Sequence, residues 1–353
     1  MRKSKSKSLL DDEIEPYQEK LTVSLDDEFD DEYTCLRPQY ITDEERSHFQ
    51  QLHTEVVRTN KGDISVAVQG DRTKKRTPLI TLHDIGQDHV KCFQSYFSFH
   101  QVKPLLNHFT IYHINFPGQQ EDAEELPDNY SYPSMEEMGD VVSGVVDYLG
   151  IKKPVCLGVG AGANVLARLA LKRPNLVECL VLVNGTCGTS SWGDWGQAKM
   201  SSHYLKTKGM TPFTVDYLIT HHFGKDERKR NPELVGLIRD QLTNHVKSHK
   251  NLGLFIEAYA KRDAIKVTRP VSGQSSSNSL KCGTLVITGD SSPNLQETIA
   301  LNAKLDPANS SWIKIPNATN LVLEEQPVAV TNALVLFLQG HGYITKLHAP
   351  AIQ

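Results

Sequence analysis

Short apolar runs and longer amphipathic stretches alternate along this chain, the former at strand spacing and the latter at helix spacing. His53–Arg58 and Asp63–Gln69 read as β-type runs flanking Asn60-Lys61-Gly62, a good hairpin turn. Pro78-Leu79-Ile80-Thr81-Leu82 reads as a buried strand running into His83-Asp84-Ile85-Gly86, and Thr110–Asn115 as a further strand before Pro117-Gly118. From Ser134 onward, Met135, Met138, Val141, Val142, Val145, Val146 and Leu149 recur at helical spacing. Ser134 stands at the N-cap with Glu137 three residues on, which predicts an amphipathic helix opened by a capping box and closed at Gly150.

Pro154–Leu157 is a very short apolar strand, Gly158-Val159-Gly160-Ala161-Gly162 follows it, and Ala163–Lys172 reads as a helix stopped by Pro174. Cys179–Asn184 is apolar almost throughout, as a strand covered on both faces must be. Thr284–Thr288 and Ser311–Ile315 are the last strands, with helices over 294–304 and Val328–Leu338. Residues 185–270 break the alternation with several helical stretches, and a Ser-rich link over 272–279 follows. One helical interruption of a strand–helix alternation predicts an α/β fold with a mainly parallel sheet, right-handed crossovers and helices on both faces. The organisation expected is a charged arm over 1–50, a folded domain over 51–345 with a cap insertion at about 185–270, and a short tail over 346–353.

Charge changes the picture mainly in the arm. Residues 1–33 hold five basic and eleven acidic groups, a net of −6 where the whole chain has −4, so the remainder carries +2. A near-neutral body lacks the basic excess that a nucleic-acid surface requires. The arm reads as solvated and disordered, and Ser4, Ser6 and Ser8 between lysines also suit a docking segment tuned by phosphorylation. No apolar run reaches the roughly 18 residues that span a bilayer, and no apolar stretch follows the basic residues at the N-terminus. The six cysteines form no CxxC pair, so reduced thiols in a cytoplasmic protein are expected in place of a disulfide framework or a zinc site.

The strand–glycine-turn–helix at 155–172 carries the most chemical information. A dinucleotide fold would need G-x-G-x-x-G after its first strand, but the spacing is G-x-G-x-G and about four strands precede it. The α/β-hydrolase elbow, G-x-S-x-G, fits better, with Gly160 standing where the serine nucleophile belongs. His83-Asp84-Ile85-Gly86 lies where such enzymes carry an HG loop, so the amides near Ile85 and Ala161 correspond to their oxyanion donors. Gly289-Asp290-Ser291-Ser292-Pro293 matches the frame G-x-x-D-P, with Ser292 in the acid's position and Asp290 two residues early. Asn320 begins the frame that normally reads H-x4-E/D-x-P, with Glu325 and Pro327 in register. Gly160, Ser292 and Asn320 therefore read as a degenerate triad, and triad members act as a unit.

With these motifs the sequence resembles the N-myc downstream-regulated (NDRG) family, which has an α/β-hydrolase fold and no hydrolase triad. The resemblance rests on His83–Gly86, Pro117-Gly118-Gln119-Gln120, Tyr132-Pro133-Ser134-Met135 and Gly160-Ala161-Gly162-Ala163. Trp192-Gly193-Asp194-Trp195, His222-Phe223-Gly224-Lys225, Gly289–Pro293, Lys304-Leu305-Asp306-Pro307 and Gln339-Gly340-His341-Gly342-Tyr343 extend it over roughly residues 50–345. It implies a non-enzymatic cytoplasmic protein of signalling, differentiation, stress response and membrane trafficking. The partners implied are proteins, with a lipid or membrane surface as a further contact; no cofactor and no nucleic acid are implied. The arm is longer and more acidic than the family pattern. Few residues follow Tyr343, so regulation through a phosphorylated C-terminal tail is not carried over.

Two other functions stay open beside an interaction scaffold. The former substrate pocket could sense a small molecule through His83, Asp84, Ile85, Gly160, Ala161 and Asp290, with Gly160 enlarging its floor. A non-standard hydrolase could instead draw on His83, Asp84, Cys187 or Asp290. His245 and His249 fall four apart on an expected helix near His221-His222, but solvent-facing cap positions explain them better than a metal. Trp192 and Trp195 are read first as packing of the cap, then as an exposed anchor for a partner.

Overall fold

In the computed structural model, residues 52–224, 231–270 and 278–344 are described. The arm, most of the Ser-rich link and the tail lie outside them. The first hairpin pairs β1 (His53–Thr59) with β2 (Gly62–Gln69) around Asn60-Lys61. β3 (Thr77–Leu82) and β4 (Phe109–Ile114) bracket α1 (His89–Ser98) and α2 (Lys103–Leu106). α3 (Met135–Tyr148) has the capping box at Ser134 and Glu137, and Lys61 Nζ adds a 2.7 Å ion pair to the same glutamate.

β5 (Val155–Val159), α4 (Ala161–Lys172) and β6 (Cys179–Val183) follow. Among the described residues four cap helices come next: α5 (Trp192–Thr207), α6 (Pro212–Phe223), α7 (Pro232–Asn244) and α8 (His249–Ala260). The chain returns through β7 (Gly283–Gly289), α9 (Leu295–Asn302), β8 (Ser310–Ile315), α10 (Val322–Glu325) and α11 (Pro327–Gly340).

The strands form one sheet in the order β1-β2-β4-β3-β5-β6-β7-β8, with only β1 and β2 antiparallel to their neighbours. Alternate residues divide the core between its two faces. Leu180 and Leu182 of β6 join α3, α4 and the cap, whereas Cys179, Val181 and Val183 join α1 and α11. Strands buried on both faces explain why their sequences are apolar without alternation. No helix among the described residues is long and apolar enough to cross a membrane.

Two buried polar side chains fasten the cap. Asn251 of α8, fully buried, donates Nδ2 to the carbonyls of Gly118 (3.0 Å) and Glu124 (2.9 Å) and accepts from Leu126 N (2.9 Å). Gly118 must be glycine there, because its φ is 67° and a Cβ would sit 2.6 Å from Asn251 Nδ2. On α4, Arg168 binds Asn164 Oδ1 (2.9 Å), Glu136 (3.0 Å) and the Asp263 carbonyl beyond α8.

Candidate functional site

The chain turns at Gly160 directly from β5 into α4. Gly160 has φ 52° and ψ −108°, a conformation that side chains rarely adopt. Its N–H donates to Val183 O (2.9 Å) and its carbonyl accepts from Asn164 N (3.1 Å). The flanking glycines supply space: a Cβ on Gly158 would lie 2.6 Å from Ala163 N, and one on Gly162 would overlap the Leu82 carbonyl. At Gly160 the obstacle is a side chain. A Cβ there would fall on the Asp84 carboxylate, overlapping Oδ1, Cγ and Oδ2 alike. The expectation that Gly160 enlarges a cavity floor is thus corrected, because Asp84 fills that space.

Asp84 is 2% exposed and its carboxylate is held from two sides. Ala161 N donates to Oδ1 (2.9 Å), and His221 Nε2 lies 2.9 Å from Oδ2. Burial raises the pKa of a carboxyl, but here the His221 charge and hydrogen bond, His222 and the Ala161 amide prevail and hold it at about 2. His222, also buried, is pushed down to about 4 by burial and then by the His221 charge. His221 and His222, noted in the sequence only as neighbours of the His245–His249 pair, sit at the end of α6 and close over the elbow.

His83 does not face the elbow. It is fully buried, with Nδ1 donating to the Asp84 carbonyl (2.8 Å) and Nε2 accepting from Phe116 N (3.1 Å). Burial lowers its pKa to about 4, so it is a neutral ring fastening the loop after β3 to the chain beyond β4. Ile85 and Ala161 are buried beside Asp84. Asp290 turns elsewhere, with Oδ1 accepting from Ser291 Oγ (3.1 Å) and Ala318 N (3.4 Å). Buried Cys187 lies 3.4 Å from Lys304 Nζ.

Ser292 and Asn320 meet. Ser292 Oγ donates to Asn320 Oδ1 (2.5 Å), and Asn320 Nδ2 donates to the His221 carbonyl (2.7 Å). Asn320 N also donates to His222 O (3.0 Å), so this asparagine ties the C-terminal segment to the same turn of α6 that carries the two imidazoles. Asn184, at φ 50°, closes the arrangement through Nδ2 to Asn320 O (2.8 Å) and Oδ1 from Thr288 (3.0 Å). An amide and a hydroxyl cannot relay a proton near neutral pH as an imidazole–carboxylate pair does.

Other expectations are revised by the cap geometry. His245 caps the C-terminus of α7 while His249 opens α8, so they share no helix. Trp192 is 89% exposed and contacts Trp195 edge-on at 6.1 Å, which overturns its reading as packing; Trp195 alone packs on the core, with Lys199 over its ring. A cleft between the loops and the cap is lined by Gly86, Gln87, Gly118, Gln120, His245 and Lys247, and none of the six pocket candidates borders it.

The sheet order, the elbow at Gly160 and the cap between β6 and β7 define an α/β-hydrolase fold. Solved structures agree: a thermophilic esterase from Thermogutta terrifontis is 21% identical and superposes with a TM-score of 0.63, covering 82% of this chain and 99% of that one. The enol-lactonase from Burkholderia xenovorans LB400 is 20% identical with a TM-score of 0.64, covering 81% and 100%. The chain belongs to the Ndr family, whose model matches residues 54–345. Protein NDRG1-B of Xenopus laevis is 35% identical over 317 residues, 90% of this chain and 75% of that protein. Protein NDRG3 of Xenopus tropicalis is 36% identical over 289 residues, 82% and 73% respectively.

Proposed function

We propose that this chain is a pseudo-hydrolase that acts by binding: a cytoplasmic scaffold of signalling, stress response and trafficking, with protein partners and a membrane surface as a further contact. Gly160, Ser292 and Asn320 are, in this reading, the former nucleophile, acid and base. The observation that carries it is the Asp84 carboxylate lying in the space of an elbow side chain and bonded to the Ala161 amide. A carbonyl substrate would need both that space and that amide. The Ser292–Asn320 hydrogen bond supports the same reading, since it joins two groups with no basicity. Filling of the elbow also weighs against a small-molecule pocket at this point, and exposed Trp192 supports an outward binding surface.

A specific observation favours a second reading, a hydrolase with a non-standard site. The Asp84 carboxylate is paired with an imidazole 2.9 Å away and accepts a helix N-terminal amide, an arrangement that also suits a carboxylate nucleophile. Hydrolysis of p-nitrophenyl acetate and butyrate by the purified chain separates the two. Release equal to that of the Asp84→Asn variant supports the pseudo-hydrolase. Turnover abolished by Asp84→Asn or His221→Gln overturns it in favour of the second reading.

A further inference from the structure

Among the described residues, one group of three side chains could hold a metal ion: Asp84, His221 and His222, whose ligand atoms lie within 4.8 Å of one another. We propose that these three bind a divalent cation of the zinc class, which clasps the end of α6 onto the loop after β3. The donor set is one carboxylate and two imidazoles, a composition that zinc accepts with tetrahedral geometry and a fourth position left to water. The atoms already converge, since His221 Nε2 and Asp84 Oδ2 are 2.9 Å apart. Zinc ligands stand about 2.0–2.2 Å from the metal, so tetrahedral donors lie roughly 3.3–3.5 Å from one another, and small side-chain rotations open the cluster to that spacing. The ion takes the place of the direct contact between Asp84 Oδ2 and His221 Nε2.

Outer partners for two of the ligands are already in place. Ala161 N donates to Asp84 Oδ1, leaving Oδ2 to turn toward the cation. His222 is hydrogen-bonded by one ring nitrogen to the Ile85 backbone, which fixes its orientation and leaves the second nitrogen as a donor. Hydrogen bonds of this kind fix the orientation of metal ligands. The burial is of the right kind as well, with Asp84 and His222 almost wholly enclosed and the His221 side chain 12% exposed as the way in. His221 meets Tyr259 of α8 edge-on at 6.5 Å, so an ion here would bear on two cap helices. Asn320 holds the backbone of the same turn, which keeps both histidines over the elbow.

The experiment is equilibrium dialysis of the full chain against Zn2+, with Co2+ as a spectroscopic probe and melting temperature as a second readout. The result expected is one tightly held ion per chain, Co2+ visible absorption of tetrahedral intensity, and a melting temperature about 5 °C higher at saturating Zn2+. His222→Gln and His221→Gln should each weaken that site by at least about 100-fold. A His245→Gln, His249→Gln double variant should bind as the parent does. Should a single-ligand variant fail to fold, X-ray absorption of the Zn2+-loaded parent decides, with two imidazoles and a carboxylate oxygen expected in the first shell. No saturable Zn2+ site, a site untouched in both single variants, or a first shell without two imidazoles would overturn the proposal.

Discussion

Replacing Gly160 by alanine should unfold this protein far more readily than its single methyl group suggests. The substitution faces two costs. The backbone at φ 52° disfavours any L side chain by roughly 1–2 kcal/mol. The new Cβ also lands on the Asp84 carboxylate, which must swing away and give up its bonds to Ala161 N and His221. Leaving a buried carboxylate without its hydrogen-bond partners costs about 1–3 kcal/mol or more, part of which is regained if the displaced group reaches water. A loss of about 3 kcal/mol or more is therefore expected in urea unfolding, read from the midpoint at unchanged slope. The diagnostic is the coupling with Asp84→Ala, which removes the obstacle. The double variant should be more stable than the sum of the two single losses by about 1–3 kcal/mol. A Gly160→Ala loss below about 0.5 kcal/mol, or additivity within about 0.5 kcal/mol, would show that Asp84 does not occupy the elbow.

Rebuilding the triad extends the same logic: Gly160→Ser with Ser292→Asp and Asn320→His should remain inert toward p-nitrophenyl acetate. Adding Asp84→Gly should yield weak cleavage, and activity of the triple variant alone would contradict the placement of Asp84. Asn251→Leu removes a buried side chain that partners three backbone groups and should destabilise the domain by about 3 kcal/mol, measured by urea unfolding. His83 and His222, held neutral with pKa values of about 4, bind protons more readily when unfolded. Their contribution is complete above pH of about 6.5 and is lost as pH falls toward 4; the melting temperature should drop across that window, and His83→Asn should flatten it.

Much of the fold was legible because its signals are local. The capping box at Ser134, the hairpin glycine Gly62 and the apolar β6 each specify their element without distant information. α1 was legible but overlooked: Asp88 caps it by accepting from Lys91 N, and Cys92, Phe93, Tyr96 and Phe97 recur at helical spacing. The candidate site was only half legible. Motif frames brought forward Gly160, Ser292 and Asn320, since the flanking glycines and prolines are fixed by backbone geometry. His221 could not be found that way, because its role depends on how an inserted helix folds back over the sheet, and no spacing in the sequence encodes that distance. His83 and His221 were effectively exchanged. Its place beside Asp84 in the sequence brought His83 forward as a site candidate, yet both its nitrogens are committed to backbone groups, whereas a histidine 137 residues away from Asp84 supplies the imidazole that reaches it.

The clamp at Asn251 bears on how anything could enter beneath the cap. Lifting α8 would strip the amide side chain and three backbone groups of their partners together, before water could replace them. At about 1–1.5 kcal/mol for each net hydrogen bond, the open form is a minority on the order of one molecule in a thousand. A guest that requires that form binds with its affinity reduced by the same factor, so a compound of micromolar intrinsic affinity would register as millimolar. Partners that touch the outside of the cap, around Trp192, bear no such penalty, and selection for binding would act there first.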